Sequence, residues 1–349
     1  MSEIHESLQT YYGKTIHDAN VMKTRACMCT PDAHSDEVRA VIPLIANKIL
    51  SRFYGCGSPI PPLLENKTIL DLGCGTGRDV YIAAKLAGEN GLAIGVDMTD
   101  EQLAVAREFE EEQRTRFGFK KSNVLFHKGL IEDLAAIGIG DETVDVVISN
   151  CVINLSPHKE AVFRDIYRVL KPGGEFFFSD VFADRRIPET LSIDPVLRGE
   201  CLSGAIYVED FRRIMQRVGW ADFRTMSVRA ITPDNDEIEK KIGFVQFSER
   251  TIRAFKIDGL EDICEDYGQV AYYNGGIAGY PHYFDLDDHH RFYTGKPMLV
   301  CGNTAAMLEQ TRFAKVFRVV GDRTTHYGAF DCSGGSCSEG EPAMEGSCC

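Results

Sequence analysis

The chain lacks any long apolar run: no stretch approaches the ~18 residues that a membrane-spanning helix requires. Its opening segment, MSEIHESLQT, has no basic stretch leading into an apolar one, so the expectation is a cytoplasmic protein that does not engage membranes. Positive charge is scarce. Lys and Arg number 38 against 52 Asp and Glu, a formal net charge of −14, and no basic block interrupts that excess. Such a field repels phosphate backbones and argues against general nucleic-acid binding. No internal repeat is found. With 44% hydrophobic and 26% charged residues over 349 positions, both near the averages of soluble globular proteins, the chain is neither disordered nor a disulfide-stapled miniprotein.

What is present in quantity is cysteine, 12 residues. In a reducing compartment these are thiols available to metals, metalloids or redox partners rather than structural bridges. From Lys67 onward short apolar runs alternate with amphipathic stretches. Strands are expected at Thr68–Leu72, Leu92–Val96, Asn123–His127, Val144–Ile148 and Glu175–Ser179, and helices at Arg78–Ala87, Asp100–Arg116 and His158–Leu170. That alternation predicts a doubly wound, mostly parallel α/β sheet of Rossmann-like type. Ahead of it, residues 1–60 form an N-terminal segment with a helical cap over Asp36–Phe53, stopped by Tyr54-Gly55-Cys56-Gly57. The sheet domain is expected over 61–232. A smaller α+β domain over 233–330 and a flexible, Cys-rich tail over 331–349 complete the chain.

The first strand runs through Asp71 into Gly73-Cys74-Gly75-Thr76-Gly77 and then a helix. Glycines there let the backbone turn sharply and let a ligand lie on main-chain amides at a helix start. Asp97 closes the second strand, where an acid accepts hydrogen bonds from both ribose hydroxyls. The G-x-G-x-G spacing is one residue shorter than the dinucleotide fingerprint, which disfavours hydride transfer. The segment Ile69–Gly77 resembles motif I of the class I S-adenosylmethionine methyltransferases. The resemblance implies that Asp97 takes the ribose, Met98 flanks the adenine, Ile131 and Glu132 close the adenine pocket, and Tyr54 and Asn150 border the cofactor. Arg78 is the candidate partner of the methionine carboxylate. The stretch Ser149–Asn154 lacks the Asn-Pro-Pro-Tyr element of enzymes that methylate base amines, so the acceptor is not expected to be a nucleobase.

Three cysteines fall on separate loops around the expected pocket: Cys56, Cys151 after the fourth strand, and Cys201 in Gly199–Ala205. No pair has zinc-knuckle spacing and no nearby histidine completes a tetrahedral set. A thiophilic trivalent pnictogen, which takes three ligands and keeps a lone pair, suits three thiolates better. Arg52–Gly57, Ser149–Leu155 and Gly199–Leu202, with further likeness at Tyr273–Ile277 and Arg312–Ala314, resemble segments of the arsenite S-adenosylmethionine methyltransferases.

That resemblance implies an enzyme that methylates arsenite, or its glutathione conjugate, to mono-, di- and in some members trimethylated arsenicals for detoxification. Cys56, Cys151 and Cys201 are then the arsenic ligands, and a fourth thiol pairs with Cys56 in a disulfide that thioredoxin or glutathione resets. Cys27 fits that context better than Cys29. The chain is expected to work as a monomer, with the smaller domain and its Tyr-Tyr-Asn-Gly-Gly turn covering the arsenic pocket. Cys264 and Cys301 are expected only to pack, and His289-His290 to sit in a solvated polar turn.

Overall fold

The computed structural model describes residues 3–11 and 34–332, apart from 193, 195–196, 199–200 and 233–234. Its centre is an eight-stranded sheet built from β1 (Thr68–Leu72), β2 (Leu92–Asp97), β3 (Val124–Lys128), β4 (Val144–Asn150), β5 (Leu170–Ala183), β6 (Ile206–Tyr207), β7 (Arg224–Ile231) and β8 (Phe247–Phe255). The order is β3-β2-β1-β4-β5-β8-β7, with β6 pairing β5. Pairs from β3 through β5 are parallel, whereas β8 runs antiparallel to both β5 and β7. The strand order reverses between β1 and β4. In an open α/β sheet that reversal leaves a crevice at the carboxyl ends of the strands, where ligands bind.

Both faces of the sheet are covered, which is why β1 and β4 read as nearly continuous apolar runs. Helix α4 (Arg78–Ala87), with α5 (Asp100–Glu108) and α6 (Glu110–Phe117), packs one face through Val80, Ile82, Ala83 and Leu103. Helix α7 (Lys159–Val169) packs the other through Val162, Phe163, Ile166 and Val169. Its Phe163 joins an aromatic layer with Phe176, Phe178, Phe211 and Trp220, in which Phe176 and Phe178 are stacked at 4.4 Å. Each buried phenyl contributes about 1.5–3 kcal/mol.

Three expectations are corrected. The cap over residues 36–53 is not one helix but α2 (Asp36–Val41), a 3-10 turn at Ile42–Leu44 and α3 (Asn47–Leu50), because Pro43 has no N–H to continue the ladder. The helix expected over 100–116 divides at Phe109. The central sheet also runs past residue 232, since β8 pairs with β5 along nine positions from Glu175 to Ala183. That pairing also extends β5 well beyond the five residues expected.

The C-terminal region adds a three-stranded sheet, Pro297–Val300, Gln269–Tyr273 and Phe317–Val320, around its own core of Tyr273, Phe284, Phe292, Phe313 and Phe317. Buried charge stitches it to the large sheet. Arg253 Nε donates to Glu175 Oε1 at 2.7 Å and its Nη1 to the Leu286 carbonyl at 2.7 Å, while Arg312 pairs with Glu175 and donates to the Pro62 carbonyl at 2.9 Å. Cys264 and Cys301 do more than pack: their sulfurs lie 3.2 Å apart, and Cys301 Sγ caps the helix Gly302–Glu309 by accepting from Thr304 N. His290 is not solvated. It is buried, with Nδ1 2.8 Å from both oxygens of Asp287, which also pairs with Arg224. Cys27, Cys29, Glu200 and the tail from 333 onward lie outside the described residues. No helix among the described residues is long and apolar enough to cross a membrane.

Candidate active site

At the β1/β4 reversal a cavity encloses about 1080 Å³, mouth included. Its first end is the glycine loop. Gly73 has φ +70, and a Cβ there would stand 2.3 Å from Val152 Cγ2, so only glycine lets β1 turn against the loop after β4. Gly75, by contrast, has no atom nearer than 4.0 Å to an added Cβ and faces open space. Asp97 is fixed as an acceptor by the amides of Gly75 at 2.9 Å and Thr99 at 2.8 Å. Burial raises its carboxyl. Asp71 is raised further, by burial and then by the neighbouring carboxylates Asp79 and Asp97. A cavity with this concentration of buried acid favours a cationic ligand. Cys74 is also raised, by burial and then by Asp97 and Asp71, so its sulfur stays a thiol.

The donors and acceptors fit S-adenosylmethionine. Besides the open glycine loop, Asn150 Oδ1 is a buried acceptor with no hydrogen-bond partner among the described residues, while its Nδ2 donates to Asp79 at 3.2 Å. Tyr54, Asp71, Gly73, Cys74, Gly75, Thr76, Asp97, Met98, Ile131, Glu132 and Asn150 all line the cavity. Gly77 and Arg78 do not. Gly77 packs against Phe126, and the Arg78 guanidinium is engaged with Asp79 at 3.1 Å, His34 Nε2 at 3.0 Å and the Phe53 ring at 3.9 Å. Arg52 lines the cavity and has no side-chain partner among the described residues. Arg52, and not Arg78, is the arginine on the cavity wall. The segment Arg52–Gly57 was legible as a motif, but which of its side chains turned inward was not. Asp79, Gln102, His5 and Leu8 are further wall residues that sequence reasoning missed; the first sits in the helix that follows the glycine loop, and the last two carried no signal.

The second end is sulfur. Cys56 and Cys151 form a disulfide, with Cα atoms 5.9 Å apart across a separation of 95 residues. Cys201 Sγ donates to the Cys151 carbonyl at 3.5 Å. Cys151 and Cys201 line the cavity, and all three sulfurs share an apolar cluster with Val181, Leu197, Leu202, Ile238, Ile242 and Phe247. Both cavity cysteines are left-handed, with φ +53 and +60. For an L residue this costs roughly 1–2 kcal/mol, and it persists only where the surroundings impose it.

Those surroundings centre on Asn154, whose backbone N and Nδ2 donate to Asp180 at 3.2 and 2.7 Å. Lys159 Nζ donates to the carbonyls of Asn154 and Ser156 at 3.1 and 3.0 Å. An added Cβ at Gly204 would stand 2.1 Å from the Asn154 carbonyl oxygen. The loops bearing Cys151 and Cys201 are therefore locked face to face. Burial pushes Asp180 up to about 6 and Lys159 down to about 8.

Two expectations change here. Cys56 is bonded to Cys151 rather than to an upstream thiol, because its loop abuts the end of β4, where an added Cβ at Gly55 would stand 2.7 Å from the Asn150 side chain. Nor does the turn at Tyr273–Ile277 cover the pocket: it packs in the C-terminal core, and no described residue beyond Cys201 lines the cavity.

The doubly wound sheet, the glycine loop and the acid at the end of β2 define an S-adenosylmethionine-dependent methyltransferase. Residues 63–219 match the family described as Methyltransferase domain, and residues 266–342 match Arsenite methyltransferase C-terminal domain. The chain is 46% identical over 349 residues to an arsenite methyltransferase of Aquipseudomonas alcaligenes, covering 99% of this chain and 100% of that one. It is 39% identical over 326 residues to the arsenite methyltransferase of Homo sapiens, covering 92% and 86%. The crystal structure of an arsenic(III) S-adenosylmethionine methyltransferase from Chlamydomonas reinhardtii superposes with a TM-score of 0.83 at 49% identity, covering 85% of this chain and 100% of that one. This chain belongs to the arsenite methyltransferase family.

Proposed function

We propose that the protein methylates trivalent arsenic held by Cys56, Cys151 and Cys201, taking arsenite or its glutathione conjugate first and methylated trivalent arsenicals afterwards. The observation that carries this reading is the meeting of three sulfurs from distant segments at one end of a methyltransferase cavity. When bound, S-adenosylmethionine supplies a sulfonium methyl group that the arsenic lone pair can accept. Asp97 holds the ribose, Arg52 the carboxylate, and the acids Asp71 and Asp79 the cationic end.

Each cysteine gives its proton to a hydroxide departing from arsenic, which leaves as water while an S–As bond forms. Tricoordinate arsenic keeps its lone pair, so no side chain has to act as the catalytic base. The protein's work is alignment, for which the locked loops at Asn154 supply rigid positions. Methylation raises arsenic to the pentavalent state. Two thiolates then join as a disulfide while both of their S–As bonds break, arsenic regains an electron pair, and water supplies hydroxide as its third ligand with release of a proton, so its valence returns to three. The bond between Cys56 and Cys151 supports this pair for that step. A dithiol protein such as thioredoxin, or glutathione, then reopens the bond by thiol–disulfide exchange, as a reducing cytoplasm allows.

The test is incubation with arsenite, S-adenosylmethionine and a dithiol, followed by speciation of the arsenic. Mono- and dimethylated products are expected. Binding of the cofactor with no methylated arsenic formed would overturn the reading.

A further inference from the structure

Helix α1 (Glu3–Thr10) lies outside residues 63–219, the segment that matches a methyltransferase domain, yet it forms part of the cavity wall. Leu8 and His5 line the cavity and are 3% and 5% exposed. Among the described residues, two hydrogen-bonding contacts tie the helix to the elements that surround one end of the cavity. Gln9 Nε2 donates to the Met98 carbonyl at 2.8 Å, and His5 Nε2 lies 3.1 Å from Glu132 Oε1, which also accepts from Ser156 Oγ at 2.5 Å. Asp97 identifies this end as the nucleoside end, because an acid at the close of β2 receives ribose hydroxyls. Beyond it Met98 and Ile131 offer apolar surface on which a flat base can rest. A helix of eight residues is too short to persist in water by itself, so α1 is ordered by what it docks on.

We propose that α1 is a component of the cofactor site: Leu8 and His5 enclose the nucleoside end, and Gln9 fastens the helix to Met98, so that docking of α1 and occupancy of the cavity favour each other. The inference rests on the S-adenosylmethionine reading above. Because the coupling is a free energy shared by two equilibria, it must appear from both sides. Loosening α1 weakens the ligand, and the ligand protects α1.

The experiment uses the full chain and S-adenosylhomocysteine without arsenite, so that no chemistry contributes. By titration calorimetry the double variant Leu8→Ala/Gln9→Ala is expected to bind about tenfold more weakly than the unmodified protein, with its arsenite binding unaltered. In the unmodified protein, S-adenosylhomocysteine is expected to slow amide hydrogen exchange across residues 3–10. Affinities within twofold of each other, equal losses of arsenite and S-adenosylhomocysteine binding, or exchange in α1 indifferent to the ligand would each overturn the proposal. Failure of the unmodified protein to bind S-adenosylhomocysteine would overturn the cofactor reading as well, which separates the two.

Discussion

At the β1 end of the cavity the main-chain amides and carboxylates that centre the site lie within thirty residues of sequence, from Asp71 to Thr99, and more distant residues such as Arg52 and Asn150 only join them. At the other end the central groups are sulfurs from positions 56, 151 and 201. The first set keeps one form: Asp97 is held by two amides and Cys74 remains a protonated thiol. The second has two forms, because Cys56 and Cys151 are close enough to bond. On the function proposed above, one enclosure thus joins a fixed cofactor site to an acceptor site whose ligand count depends on its oxidation state. Strain is distributed accordingly. The tight turn at the first end is made by glycines, whereas at the second end two cysteines take left-handed backbone. Sulfur is kept there although glycine would be easier, which marks the side chain as the reason for the residue.

The sharpest way to break the comparison is to remove one sulfur. Cys151→Ser or Cys201→Ser should lower arsenite methylation by about 100-fold or more, while calorimetry finds S-adenosylhomocysteine affinity within twofold of the parent; a parallel loss of both would show that the ends are one site. The converse is Asp97→Ala, which should weaken S-adenosylhomocysteine by about 10- to 100-fold through loss of charge-assisted hydrogen bonds and leave arsenite binding intact. Cys56→Ser separates the sulfurs from one another. Methylation of arsenite should fall by about tenfold more than methylation of a monomethylated trivalent arsenical, which needs one sulfur fewer; equal losses in product speciation would refute that division.

Gly204→Ala pushes a methyl group toward the Asn154 carbonyl and should destabilise the fold by about 1–3 kcal/mol, read in denaturant unfolding, with arsenite binding more affected than cofactor binding. The smallest expected effect is electrostatic. Asp180 titrates near 6 because of burial, opposed in part by Lys159, so Lys159→Met should move its carboxyl still higher in an NMR titration. A raised carboxyl contributes stability that is complete below its unfolded value of about 3.9 and lost as pH rises through about 6. Asp180→Asn should therefore flatten the stability profile across that window.

The glycine loop and its acid were legible because each depends on neighbours in sequence. A strand that ends on Asp71 and turns through Gly73 to Gly77 specifies its own geometry. The failures share a cause. Arg78 and Arg52 are both arginines beside motif residues, and only the packing of Phe53, His34 and Asp79 around Arg78 decides that its charge is already engaged. Helix α1 was missed because eight residues with two apolar side chains carry no message until Met98 and Glu132 receive them. Pro43, by contrast, is a local feature: its missing N–H interrupts a helical ladder wherever the chain packs, and the cap divides there.

By itself, the sequence determined a doubly wound sheet with a cofactor loop and a set of loop thiols suited to a soft metalloid, since local backbone chemistry and residue type are written residue by residue. Tertiary structure alone decided which sulfur meets which, which arginine faces the cavity and what closes its nucleoside end. Those are matters of distance between segments a hundred residues apart, and distance exists only once the chain has folded.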